Sequence, residues 1–227
     1  MNINSDLGEA AGFDEEILPE IDSANVCCGA HAGSFSETIE TVRSCRRLGV
    51  EVGAHPGYDD RANFGRVEVP LTAAQIEDQV RAQVAVVAAL APIGYIKAHG
   101  ALYHRCQADP EAAEALGRVA RDFETGLMGQ PGFAILAACG RLGVPGYTEG
   151  FADRRYLPDG RLAPRTEAGS VLPTEEAVQQ AIRFARENSF DTICLHGDSP
   201  GAMATARAIR AALKAEGIET RPLGSGR

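Results

Sequence analysis

Five histidines are scattered through the 227 residues, and none belongs to an apolar helical stripe. His31 follows Cys28-Gly29-Ala30, and His55 opens His55-Pro56-Gly57-Tyr58. His99 and His104 bracket Gly100-Ala101-Leu102-Tyr103, and His196 opens His196-Gly197-Asp198. Acidic groups stand in similar settings: Asp6 and Glu9 in Asp6-Leu7-Gly8-Glu9, then Glu149 and Asp153. An imidazole titrates near neutrality and also ligates metals, while a carboxylate serves as base, nucleophile or ligand. The set therefore suits acid–base hydrolysis, or a metal site assembled from separate strands such as Asp6, His31 and His55. His104 reads as a surface residue or one that stands behind the site, and Ser34 as a helix cap.

Lys97 has two readings. The chain holds only two lysines, and this one sits in an apolar strand, where an unpaired ammonium would be costly. Either it grips a carboxylate or phosphate of a ligand, or it forms a structural ion pair with Asp6 or Glu149. It lies two positions before His99, so strand alternation puts both side chains on one face. No Walker-type loop, no Gly-x-Gly-x-x-Gly after a strand and no His-Glu-x-x-His helix is present, so none of these standard nucleotide or zinc motifs is available.

The elements that must position these groups are short apolar segments separated by amphipathic helices. Strands are expected at Asn2–Leu7, Ser23–Cys27, Val50–Ala54, Tyr95–Ala98, Gly126–Met128, Pro145–Glu149 and Thr192–Leu195. Phe35–Leu48 reads as a helix with Phe35, Ile39 and Val42 on one face and Ser34 with Glu37 as its capping box. Thr72–Ala91 has the box Thr72/Gln75, the staple Leu71/Ile76 and the stripe Ile76, Val80, Val84 and Val87. Asp109-Pro110 and Ser199-Pro200 each read as an N-cap followed by proline at the first helical position. Val178, Ala181, Ile182 and Ala185 stripe the helix after Thr174, and Met203, Ala206, Ile209 and Leu213 stripe the last. About seven β/α units over a single domain, 1–227, suit a parallel β/α barrel better than a doubly wound sheet. The chemistry-bearing residues then fall just past the carboxyl ends of the strands, where barrel active sites are built.

Bulk properties narrow the function classes. A net charge of −9 argues against nucleic-acid or anionic-membrane partners. No apolar run is long enough to cross a bilayer, and the N-terminus lacks signal-peptide features, so a soluble cytoplasmic protein is expected. Six cysteines without a Cys-x-x-Cys pair fit reduced, mostly buried thiols.

Taken in order, the strings resemble the LamB/YcsF family, the A subunit of the bacterial ATP-dependent 5-oxoprolinase. The resemblance is carried by Asn4-Ser5-Asp6-Leu7-Gly8-Glu9, Ser23-Ala24-Asn25-Val26, Cys28-Gly29 and His31-Ala32-Gly33. It continues through Gly53-Ala54-His55-Pro56-Gly57-Tyr58, Phe64-Gly65-Arg66, and Lys97 with His99-Gly100-Ala101-Leu102-Tyr103. It ends with Glu149-Gly150-Phe151-Ala152-Asp153-Arg154, Pro164-Arg165 and His196-Gly197-Asp198-Ser199-Pro200. The loop from Glu9 to Asp14 is shorter than the family's, and Ala30 stands where Phe is common. The resemblance implies a seven-stranded barrel related to glycoside hydrolases and deacetylases. It also implies ATP-coupled opening of 5-oxo-L-proline to L-glutamate with two partner subunits, B and C. ATP is then a cosubstrate with its magnesium, and a divalent metal in the site is open. Asp6, His31, His55, Lys97 and His99 become the expected catalytic group. Glu9, Asn25, Tyr58, Arg66, Glu149, Asp153, Arg154, His196 and Asp198 are the expected substrate-binding residues. The alternatives are a metal-dependent deacetylase-like hydrolase and a non-catalytic binding subunit.

Overall fold

The computed structural model describes residues 1–164, 167–195 and 201–226. Seven strands form β1 (Asn2–Leu7), β2 (Ser23–Cys27), β3 (Glu51–His55), β4 (Tyr95–Ile96), β5 (Gly126–Gly129), β6 (Gly146–Phe151) and β7 (Thr192–Leu195). They close in chain order into a barrel, all neighbours parallel, with β7 pairing back onto β1. The helices are α1 (Asp14–Ile17), α2 (Phe35–Leu48), α3 (Ala73–Ala88), α4 (Gly100–Ala108), α5 (Pro110–Asp122), α6 (Ala134–Leu142), α7 (Thr174–Glu187) and α8 (Ala202–Ala215). No helix among the described residues is long and apolar enough to cross a membrane.

Local chemistry sets the helix ends. Ser34 Oγ accepts from the Glu37 amide and Gly49 closes α2 in the left-handed region, the usual start and stop devices. Thr72 and Gln75 form the reciprocal capping box of α3, and Asp109 caps α5 ahead of Pro110. The Ser199-Pro200 pair lies outside the described residues.

Several expectations shift, among them the sixth strand, which runs Gly146–Phe151 and not Pro145–Glu149. The third strand runs one residue later, so that His55 itself pairs with Cys27 as the last rung. The fourth ends at Ile96, yet the Lys97 and His99 amides still donate to the Ala54 and Pro56 carbonyls at 3.0 and 2.8 Å. The chain therefore stays extended and the alternation holds. Phe35 does not join the buried face of α2; it is 61% exposed, because Thr38, Thr41, Val42 and Cys45 are the residues that turn inward.

The strands sort their side chains into two unlike regions. Ile3, Leu7, Val26, Val52, Ile96, Leu127 and Ile193 belong to one continuous apolar core together with residues of the surrounding helices. Barrels of this kind are usually filled with branched aliphatics inside as well. Here the lumen is largely polar: Asn25 Nδ2 donates to Asn4 Oδ1 (2.7 Å), Asn4 Nδ2 to Thr192 Oγ1 (2.8 Å), and Thr192 Oγ1 to Asn2 Oδ1 (2.6 Å). Below this network Tyr95, Met128 and Tyr147 form a separate small cluster. Gly53 is required beside it, since a Cβ there would stand 2.2 Å from the Tyr95 ring.

Candidate active site

At the carboxyl end of the barrel opens a cavity of about 780 Å³. Asp6, Glu9, His55, Lys97 and His99 all line it. Its wall carries Arg66, Tyr103, His104 and Arg154. Alternation along β1 carries Asp6 inward, β3 ends on His55, and the extended chain past β4 presents Lys97 and His99 side by side.

Two ionic groups share the floor. In the first, Lys97 Nζ lies 2.9 Å from Asp6 Oδ1 and 2.9 Å from Glu149 Oε1, with the Cys194 sulfur also at 2.9 Å. Burial works against the ammonium, but Asp6, Cys194 and Glu149 outweigh it and push its pKa well up. Asn25 Nδ2 adds a 2.7 Å bond to the same Asp6 Oδ1, and Tyr103 donates to Glu149 Oε2 at 3.2 Å. The ion pair expected of Lys97 is present with both Asp6 and Glu149, and the same side chain lines the cavity.

In the second group, Glu9 Oε1 stands 3.1 Å from His31 Nε2, 3.1 Å from His99 Nδ1 and 3.7 Å from His55 Nε2. Burial acts to raise the Glu9 pKa, but the contacts with His31 and His99 prevail and hold it well below the carboxylate range. Burial also drives His31 down to about 4. For His55 burial is overcome by Asp6, whose Oδ2 lies 3.5 Å from Nε2, and the pKa rises.

The backbone decides the imidazole tautomers. His55 Nδ1 is 2.8 Å from the Lys97 carbonyl and His99 Nε2 is 2.9 Å from the Phe64 carbonyl. A carbonyl only accepts, so both nitrogens carry hydrogen. The remaining nitrogens, His55 Nε2 and His99 Nδ1, then face each other at 3.0 Å.

Several expected residues are placed differently. His31 does not line the cavity. It is fully buried and stacks on His99, centroids 3.8 Å apart, beneath Gly57, where a Cβ would come 2.6 Å from His31 Nδ1. It thus orients Glu9 from behind instead of meeting a ligand. In the metal set expected from Asp6, His31 and His55, Glu9 replaces Asp6: Glu9, His31, His55 and His99 keep their ligand atoms within 4.8 Å of one another, whereas Asp6 turns to Lys97 and Asn25. Asn25 and Glu149 are fully buried and absent from the cavity wall, and they act on Asp6 and Lys97. Tyr58 is fully buried in the apolar core, because the residue after Pro56-Gly57 turns away from the mouth. Asp153 lines a smaller neighbouring cleft with Leu172 and Thr205. Arg66 and Arg154 do reach the cavity. His196 and Asp198 lie outside the described residues, as does Arg165.

One wall is only partly marked by the sequence motifs, at Arg154 and Pro164. Between β6 and α7, residues 152–164 and 167–173 fold back through the bridges Arg154↔Val171 and Tyr156↔Leu162 and contribute Leu157, Arg161, Leu162 and Ala163 to the cavity. The length of this connection was the available signal, since connections this long in a compact barrel usually serve a site. Gln107, Gln130 and Phe133 also line the cavity; no motif marked them.

Comparison with known proteins agrees with this architecture. The model of the LamB/YcsF family matches residues 1–227. The chain is 39% identical to the 5-oxoprolinase A subunit of Chloroflexus aggregans, covering 97% of this chain and 98% of that protein. It is 36% identical to the protein of the same description from Neisseria meningitidis serogroup A, over 96% and 98%. The crystal structure of a lactam utilization protein from Thermus thermophilus superposes with a TM-score of 0.91 at 35% identity, covering 97% of this chain and 98% of that one.

Proposed function

Because the chain belongs to the LamB/YcsF family, we propose that it is the A subunit of an ATP-dependent 5-oxoprolinase and supplies the ring-opening site for 5-oxo-L-proline. The observation that carries this reading is the cavity itself, where an acid–base floor meets the positively charged side chains of Arg66 and Arg154 on the wall. 5-Oxoproline brings one carboxylate and one unstrained lactam. In an acidic protein the carboxylate needs a fixed cation. Arg66 and Arg154 both line the cavity, Arg154 fixed in place by the Ser170 and Ala163 carbonyls, and that task is assigned to them.

Hydrolysis of a stabilised amide has little driving force, which is what ATP supplies. Transfer of the γ-phosphoryl group to the lactam oxygen leaves ADP and makes the ring carbon electrophilic. Water adds to that carbon, giving up a proton. The C–N bond breaks, the nitrogen takes up a proton, and γ-glutamyl phosphate results. A second water releases phosphate and L-glutamate. Asp6 is the base for the attacking water: Lys97 and Asn25 hold its Oδ1, and the carboxyl can return the proton to the departing nitrogen. The sequence contains no Walker-type loop, so phosphoryl transfer falls to partner subunits B and C, in the cytoplasm where ATP is available.

The test is glutamate release from 5-oxoproline and ATP by the B and C subunits with and without this chain. The reading expects turnover only in the full mixture. Undiminished turnover without this chain would contradict it.

A further inference from the structure

We propose that Glu9, His55 and His99 form a binding site for one divalent transition-metal ion, open toward the cavity. The site is formed by this chain's own side chains and does not depend on which substrate is opened.

With His55 Nδ1 and His99 Nε2 committed to the Lys97 and Phe64 carbonyls, His55 Nε2 and His99 Nδ1 are left facing each other across 3.0 Å. Glu9 Oε1 joins them at 3.1 and 3.7 Å. Three electron-rich atoms converge, and the neighbouring Lys97 is already shared by Asp6 and Glu149. Such a triangle calls for a metal cation at its centre or a proton on one of the rings.

The spacing fits a metal ion. Tetrahedral zinc, with bonds of about 2.0–2.1 Å, holds its ligand atoms about 3.3 Å apart; the three separations here are 3.0, 3.1 and 3.7 Å. Two imidazoles and one carboxylate favour zinc, iron, cobalt or manganese over magnesium or calcium. The supporting contacts are also those of a metal site, where ligand histidines donate their far N–H to carbonyls and ligand carboxylates are themselves hydrogen-bonded. Here the carbonyls are those of Lys97 and Phe64, and His31 Nε2 bonds to Glu9. His31 is not itself a ligand: its ring lies parallel to that of His99 within 6° at 3.8 Å, so the two rings cannot both aim in-plane lone pairs at one ion. All three proposed ligands line the cavity while His31 does not, which leaves the open coordination position on the cavity side.

The competing occupant is one extra proton shared by His55 and His99. Dialysis of the full-length protein against chelator, followed by calorimetric titration with zinc and with manganese, separates the two. Elemental analysis then gives the ion count. The metal site predicts one ion per chain for at least one of the two metals. It also predicts an affinity lowered about 100-fold or more in His99→Ala and in Glu9→Gln, each checked for folding by circular dichroism. No binding of either metal to the wild-type chain would overturn the proposal in favour of the proton, as would affinity unchanged in either folded variant. Glutamate release is not the readout, so this result and the lactam result fail separately.

Discussion

The lumen and the outer shell of the barrel are built from the same seven strands and could hardly differ more. Outward residues such as Ile3, Val26, Val52 and Ile193 are buried against helices in one apolar core. Inward residues such as Asn4, Asn25, Lys97 and Glu149 are just as buried but are held by hydrogen bonds and ion pairs. Apolar burial is non-directional and tolerates exchange of shape. A buried ionic network is directional, and removing one member strands the others. The shell therefore supplies stability, and the lumen supplies geometry at a cost in stability.

The contrast can be broken experimentally. The largest effect is expected from Lys97→Met, which removes the ammonium that Asp6 and Glu149 share. It should cost about 3–5 kcal/mol, read by urea unfolding; a loss below about 1 kcal/mol would show that the network is not ionic. Ile193→Ala in the shell should cost about 2–5 kcal/mol while activity per folded molecule stays unchanged, and a change in activity would erase the division between regions.

A pH series sharpens the lumen side. In the metal-free protein burial holds His31 at about 4, below its ordinary 6.5. The unfolded chain then binds more protons between those values. The stability tied to neutral His31 is complete above about pH 6.5 and drains as pH falls toward 4, by an amount on the order of 3 kcal/mol. Unfolding curves of wild type and His31→Gln at pH 7 and 4.5 should differ in pH slope, with the variant shallower. Equal slopes would remove His31 from the account. The smallest effect is expected at Phe35→Ser, within about 0.5 kcal/mol, because Phe35 is 61% exposed.

Much of this was legible from residue order. Strand–helix alternation pointed to the barrel, and the placement of histidines and carboxylates after expected strands located the mouth. Asp6, His55, Lys97 and His99 do meet there. What the order could not resolve was depth. His31 and His55 stand in similar Gly- or Pro-bearing loops, yet one faces the cavity and the other lies beneath Gly57, a contact between loops distant in sequence. Tyr58 reads as part of the same string as His55, but the turn at Pro56-Gly57 sends it into the core. The helix α6 is not among the expected elements, and the wall between β6 and α7 arises from two isolated bridges that no periodicity announces. Lys97 had two readings of equal weight, and its ion pairs depend on the positions of Asp6 and Glu149 across the barrel, which residue order does not give.

The central claim is that the polar lumen of this chain opens the lactam ring, with Asp6 as the base. The most direct measurement replaces Asp6 by Asn, which keeps the shape and the contacts to Asn25 and Lys97 but removes the basic carboxylate. Glutamate release would be followed at saturating 5-oxoproline and ATP in the mixture with subunits B and C. The account predicts a fall of about 100-fold or more, with binding of the variant chain to its partners retained. Turnover within a few-fold of wild type in a folded, assembled Asp6→Asn mixture would contradict it.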